Sequence, residues 1–190
     1  MSNIFQTASI TKNFEGRDTS HILNLNPKEI PVITEDGHDV LSADIMLDGM
    51  KKAASKNIIV SCHCEDPDLA VCARGYRQKA LALMKEYKIP AWGVIPSDIK
   101  VPQNVLDEIT ENLSKANELL EKAEDTFTER NIKLAHDADC RIHICHVSTK
   151  GAIESVQHAK QKGWKCTCEV TPHHIALTGD IIPEVLALVK

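Results

Sequence analysis

Asn57-Ile-Ile-Val-Ser-Cys-His63 is a nearly continuous apolar run, and Asp66-Pro67 follows within three residues. A short run rich in β-branched residues reads as a buried strand. An aspartate followed by proline is a good helix start, with an N-cap and then a ring already holding a helical φ. The predicted helix reaches about residue 87, weakened by Gly75. The same strand-then-helix unit repeats on either side. Upstream, residues 4–11 read as a strand, and residues 30–34 form a second that stops at Glu35-Asp36-Gly37, a turn signal. From Ser42, a natural N-cap, to about Ser55, Met46, Met50 and Ala53 keep helical spacing.

Downstream, a loop with Pro90, Gly93 and Pro96 leads into the longest helical stretch, about residues 104–136. Its apolar stripe (Leu106, Ile109, Leu113, Ala116, Leu120, Ala123, Phe127) keeps steps of three and four and suits a core-facing side or a partner helix. Residues 141–146 form another strand. A helix over 150–162 ends at Gly163, and a last strand over 164–170 runs into Thr171-Pro172-His173-His174. Regular alternation implies parallel strands with helical crossovers, an α/β architecture. Five strands are too few to close an eight-stranded barrel, and 190 residues fall short of the roughly 250 such a barrel takes. The expected fold is one partial domain over residues 1–190, an incomplete TIM-like (β/α)8 barrel.

The formal charge of −5 is spread along the chain, which gives no electrostatic reason to expect nucleic acid or an anionic membrane as partner. No run of about 18 apolar residues suggests a transmembrane span. The first residues lack the basic and apolar regions of a signal peptide, so a cytoplasmic protein is expected. Seven cysteines, most of them inside strand-like runs, read as reduced core thiols rather than a disulfide framework.

Asp36, His63 and His146 each stand where a strand gives way to the next loop. In a parallel barrel these ends open on one face, so side chains distant in sequence converge there. Imidazole and carboxylate are appropriate zinc ligands. Strand alternation adds a test: if His63 points into the barrel, Cys62 and Cys64 point toward the helices. If His146 points in, so do Ile142 and Ile144, while His143 and Cys145 face the helices. Each residue also has a plainer reading. A histidine at a strand end commonly hydrogen-bonds to its surroundings, Asp36 before Gly37 suits a turn, and His173-His174 suit bracing of the last loop. The Cys-x-Cys pairs could bind metal, but such short pairs are weak signals, and both thiols would have to face one way from a strand.

Ser61-Cys-His-Cys-Glu-Asp66 resembles the His-Cys-Glu motif of dihydroorotases in the amidohydrolase superfamily. His143-Ile-Cys-His-Val-Ser-Thr149 is similar to that family's His-Val-Ser-Thr segment, and residues 169–178 to the stretch that follows it. Residues 8–16 resemble the family's third-strand segment, and Thr34-Glu-Asp-Gly37 the fourth-strand end of the bacterial enzymes. The resemblance covers nearly the whole chain, in family order.

The resemblance implies that Asp36, His63 and His146 hold metal, zinc, at the second of two positions, with Asp36 or Glu35 bridging toward the first. An acidic residue here, where hydantoinases and allantoinases use a carbamylated lysine, favours dihydroorotase. It further implies reversible cyclisation of N-carbamoyl-aspartate to dihydroorotate in pyrimidine synthesis. The chain matches the family's third to seventh strands, so the first-strand His-x-His pair, its arginine, the second-strand asparagine and the eighth-strand aspartate are expected outside it. No catalytic acid/base is therefore expected within these residues, and the chain alone is expected to be inactive. Two other readings stand: a non-catalytic scaffold or oligomer partner, and a related cyclic amidase. Open strand edges make a homo-oligomer the expected state, with a small-molecule substrate as the other partner.

Overall fold

A computed structural model describes residues 4–37, 39–90, 95, 97 and 99–177. Gly93, Pro96, Thr178 and the first three residues, which entered the sequence reading, lie outside the described residues. The chain divides into two compact units, one of residues 1–67 with 123–171, the other of residues 68–122 with 172–190.

The first unit is built on five strands: β1 (Thr7–Ser9), β2 (Val32–Thr34), β3 (Ile59–Cys62), β4 (Ile142–Ile144) and β5 (Cys166–Cys168). All neighbours pair in parallel, in the order β1-β2-β3-β4-β5. Sequential order with one hand of crossover is how a (β/α) barrel wall is laid down, and the α/β partial-barrel expectation holds. The helices are α1 (Ala43–Ser55), α2 (Pro67–Glu86), α3 (Gln103–Asp137), α4 (Lys150–Gln161) and the short α5 (Pro172–Ala176). Two 3-10 turns, Lys12–Phe14 and Ser20–Asn24, fill the connection between β1 and β2. No periodicity marked them, since three to five residues are too few to show one.

Strand register sorts the side chains into rows. Ala8, Ile33, Val60, Ile142 and Cys166 are successive partners, and all five are apolar. Ile33, Val60, Ile142 and Cys166 are buried, packed with Met46, Met50 and Ala53 of α1, Phe127, Ile132 and Ala135 of α3, and Ala152, Val156 and Ala159 of α4. The alternate row, Ser9, Thr34, Ser61, His143 and Thr167, is entirely polar. One face of the sheet therefore drives its packing by apolar burial, and the other, apolar at Val32 and Ile59, turns polar toward the C-terminal strand ends.

Three helix-to-strand connections share one device. Asn57 (φ 58°), Asp139 (φ 51°) and Gly163 (φ 72°) adopt the left-handed conformation just after α1, α3 and α4. The next amide then bonds back five residues: Ile58 N to Ala53 O, Cys140 N to Ala135 O, Trp164 N to Ala159 O. Asn, Asp and Gly are the residue types that tolerate this backbone, and the bond satisfies an orphan carbonyl at the helix end. At the helix starts, Ser42 Oγ accepts from Ile45 N and Thr149 Oγ1 from Ala152 N, so the Ser42 cap is as expected.

The strands are shorter than the sequence suggested. β2 ends at Thr34, as expected, and the Glu35 carboxylate then takes the amides of Ile10 and Thr11, the Ile10 amide also reaching Thr34 O.

In the second unit, Ala80 and Met84 of α2 are buried with Val105, Ile109 and Leu113 of α3. The apolar stripe of α3 is thus shared between two cores, its first half here and Phe127 onward in the first unit. All seven cysteines are free, as expected.

Gly75 lies on the exposed side of α2, and a Cβ added there meets no atom within 4 Å. Gly75→Ala should therefore stabilise the protein by about 0.5–1 kcal/mol, read as a raised urea midpoint with unchanged slope.

Candidate metal centre

Three residues at strand ends are brought together in the first unit. Asp36 follows β2, His63 follows β3 and His146 follows β4, and one ligand atom of each lies within 4.8 Å of the others. His63 Nδ1 is 2.9 Å from His146 Nε2. Asp36 is exposed and the histidines are half-buried, so the group is open to solvent on one side.

His63 shares its face of β3 with Ser61, and Cys62 and Cys64 are buried on the opposite face with α1 and α3, as alternation required. The same test applied to β4 fails, and the expectation for Ile142, Ile144, His143 and Cys145 is corrected. Ile142 and Ile144 are buried in the helix-facing core, while His143 partners Ser61 on the polar face. Cys145 Sγ lies 2.9 Å from Ser61 Oγ, on that polar face too. Unbroken alternation from there would send His146 into the core. It does not, because β4 ends at Ile144 and His146 takes a positive φ of 36°. A left-handed residue breaks the two-residue period, and a histidine adopts it only when its surroundings hold it there.

The choice between Asp36 and Glu35 is made by burial. Glu35 is 4% exposed, holding the Ile10 and Thr11 amides and the Thr11 hydroxyl, so Asp36 is the acidic side chain that joins the histidines. His173 and His174 sit on α5 with ring centroids 4.3 Å apart.

The residues that sequence reading missed are on the second half of α3. Glu124 accepts from Ser148 N, Ser148 Oγ and Thr149 N, just past His146. Thr149 Oγ1 also meets Asp125 Oδ1 at 2.6 Å. Ala123 O accepts from Asp66 N, three residues past His63. Arg130, its guanidinium 3.6 Å from the Phe127 ring centroid, donates to Val40 O, Leu41 O and Asp39. Asn131, fully buried, reaches Asp39 and the Cys64 thiol, each at 3.5 Å. The loops after β2, β3 and β4 are thereby tied to the same helix. No local pattern marks such contacts, which join residues 24 to 92 apart in the chain.

Charge in the centre is balanced toward cations. The His63 imidazole is held above its ordinary pKa, chiefly by Glu65, whose Oε2 is 3.9 Å from Nε2, with burial opposing. Burial pushes Asp39 up to about 6, outweighing the nearby Arg130 guanidinium.

The donor chemistry fits a metal ion. Two imidazole nitrogens on one tetrahedral zinc, at about 2.0–2.1 Å each, stand roughly 3.3 Å apart, so the observed 2.9 Å opens by a few tenths of an ångström to admit it. His63 turns Nδ1 toward the centre and leaves Nε2 toward the Glu65 carboxylate, which is placed to orient the ring.

No family model matches the chain. A dihydroorotase of Clostridium botulinum is 29% identical over 180 residues, 94% of this chain and 34% of its own length. One from Macrococcus caseolyticus is 32% identical over 183 residues, 96% of this chain and 36% of its own length. In sequence the chain is similar to dihydroorotases. It spans about a third of the length of the curated relatives it matches. Among solved structures, a D-hydantoinase from a Bacillus species superposes with a TM-score of 0.60 at 19% identity, over 92% of this chain and 33% of that one. A dihydropyrimidinase from Brevibacillus agri gives 0.56 at 20% identity, over 84% and 31%. These likenesses show the fold of these residues, part of a (β/α) barrel wall. No helix among the described residues is long and apolar enough to cross a membrane.

Two outcomes follow. Glu124→Ala strands the Ser148 and Thr149 amides and should cost on the order of 1–3 kcal/mol in urea unfolding. Asp39 carries its proton to about pH 6 when folded but only to about 3.8 when unfolded. Between those values the folded state binds more protons, so this group's contribution to stability falls as pH rises from about 4 to about 6. Asp39→Asn should flatten that slope in unfolding measured across the same range.

Proposed function

We propose that this chain supplies the Asp36, His63 and His146 half of the zinc centre of a dihydroorotase, within a single partial barrel domain. The carrying observation is the convergence of these three side chains, from three separate strand ends, within 4.8 Å. The match to dihydroorotases in sequence supports the substrate class, N-carbamoyl-aspartate and dihydroorotate, and with it pyrimidine synthesis in the cytoplasm.

In this reading His63 Nδ1, His146 Nε2 and the Asp36 carboxylate would hold zinc. Bound metal lowers the pKa of a water and polarises the ring carbonyl. Glu65 orients His63, and Glu124 and Asp125 fix the turn after His146, so the ligands are positioned before any ion arrives. The open side of Asp36 leaves room for substrate. The acid/base that moves the proton belongs to residues outside this chain, and the chain's edge strands, β1 and β5, are where a further strand or a second copy would pair in a homo-oligomer.

Metal analysis tests the centre directly. Wild-type chain should take up zinc with an affinity at least about 100-fold above that of a His63→Ala, His146→Ala double variant. Equal uptake by the two would remove these histidines from the site. Assay of the protein that carries this chain should show opening of dihydroorotate in preference to hydantoin or allantoin. Preference for either of those rings would reassign it to a related cyclic amidase.

A further inference from the structure

The polar face of the sheet holds a second group of donor atoms that the centre above does not use. His143 lies in β4, Cys145 follows it, and Glu169 follows β5, and one ligand atom of each lies within 4.8 Å of the others. Thr167, the register partner of His143 on β5, has its Oγ1 2.9 Å from His143 Nδ1. That hydroxyl has its own acceptor, the Ile142 carbonyl, at 3.5 Å. Nδ1 is taken up in the Thr167 contact, and Nε2 is the ring nitrogen left facing Glu169 Oε2, across 3.5 Å. An imidazole nitrogen and a carboxylate oxygen so placed are two donors able to share one cation.

The third member decides which cation. Cys145 Sγ reaches the same spot, half-buried and 2.9 Å from Ser61 Oγ. A proton alone would satisfy the His143–Glu169 pair without a thiol. Imidazole, thiolate and carboxylate together are the donor set of zinc-class ions, and the sulfur disfavours magnesium and calcium. The backbone holds the group in place from both sides: Glu169 N donates to Ile144 O, and Val147 N to Glu169 O.

We propose that His143 Nε2, Cys145 Sγ and the Glu169 carboxylate form a second divalent-cation site, selective for soft ions such as zinc and cadmium and separate from Asp36, His63 and His146. On binding, Sγ releases its proton to solvent and the ion joins three protein ligands, with a coordination position left for water. An ion here ties β4 to β5 and anchors the residue just before His146. The site stands whether or not the dihydroorotase reading does.

Cobalt(II) titration of the whole chain under a thiol-free reductant separates the two centres, because only this one contains sulfur. Thiolate-to-cobalt charge transfer in the near ultraviolet should appear in wild type and persist in the His63→Ala, His146→Ala variant. It should vanish in Cys145→Ser, with folding verified by circular dichroism, and half-saturation in Glu169→Gln should need at least about tenfold more cobalt. No band in wild type overturns the proposal and leaves only a His143–Glu169 contact. A band that survives Cys145→Ser also overturns it, by assigning the sulfur elsewhere. If Cys145→Ser does not fold, His143→Ala and Glu169→Gln decide: unchanged cobalt affinity in both sinks the site.

Discussion

The carboxylate of Glu124 and the guanidinium of Arg130, two turns apart on α3, are the anchors on which the placement of the strand-end loops depends. Glu124 takes donors from Ser148 and Thr149, and Arg130 takes the carbonyls of Val40 and Leu41. Ala123 and Asn131 between and beside them reach Asp66, Asp39 and Cys64. Loops beyond a parallel sheet have no ladder to hold them, and their backbone polar groups must find partners or water. Here one helix offers those partners to three loops at once. Its apolar side, Phe127, Ile132 and Ala135, is meanwhile sunk in the sheet's core, so the polar contacts inherit the rigidity of a packed helix.

The sheet itself separates labour by register. Ala8, Ile33, Val60, Ile142 and Cys166 give one face to packing, and Ser9, Thr34, Ser61, His143 and Thr167 give the other to polar chemistry. His63 obeys this pattern simply by continuing β3. His146 would violate it, and the left-handed turn of its backbone returns the ring to the polar side. The centre thus depends on one regular position and one irregular one.

That difference also explains what the sequence could and could not reveal. The apolar run over residues 57–63 and the Asp66-Pro67 start were legible because strand and helix periods act over neighbouring residues. The convergence of Asp36, His63 and His146 followed from parallel topology and from motif resemblance together. Alternation along 141–146 misplaced Ile142, Ile144, His143 and Cys145, because a positive φ at a histidine leaves no trace in residue type. Had that position been glycine, the break in period would have been suspected. Nothing in residue type singles out Glu124, Arg130 and Asn131, since what distinguishes them is a partner far along the chain. Glu35 against Asp36 was a matter of which carboxylate found buried amides, again a tertiary fact.

The spacing of strand partners bears on how the sheet assembles. Ala8 and Ile33, Ile33 and Val60, and Ile142 and Cys166 are pairs a few dozen residues apart at most, while Val60 meets Ile142 across 82 residues. Loop closure over 82 rather than 24 residues costs about 1 kcal/mol more in chain entropy. The long excursion through α2 and the start of α3 therefore gives the union of β3 with β4 the largest closure cost of the four pairings. His63 and His146 stand on opposite sides of that closure, so the chain has paired imidazoles to offer a cation only once it is made.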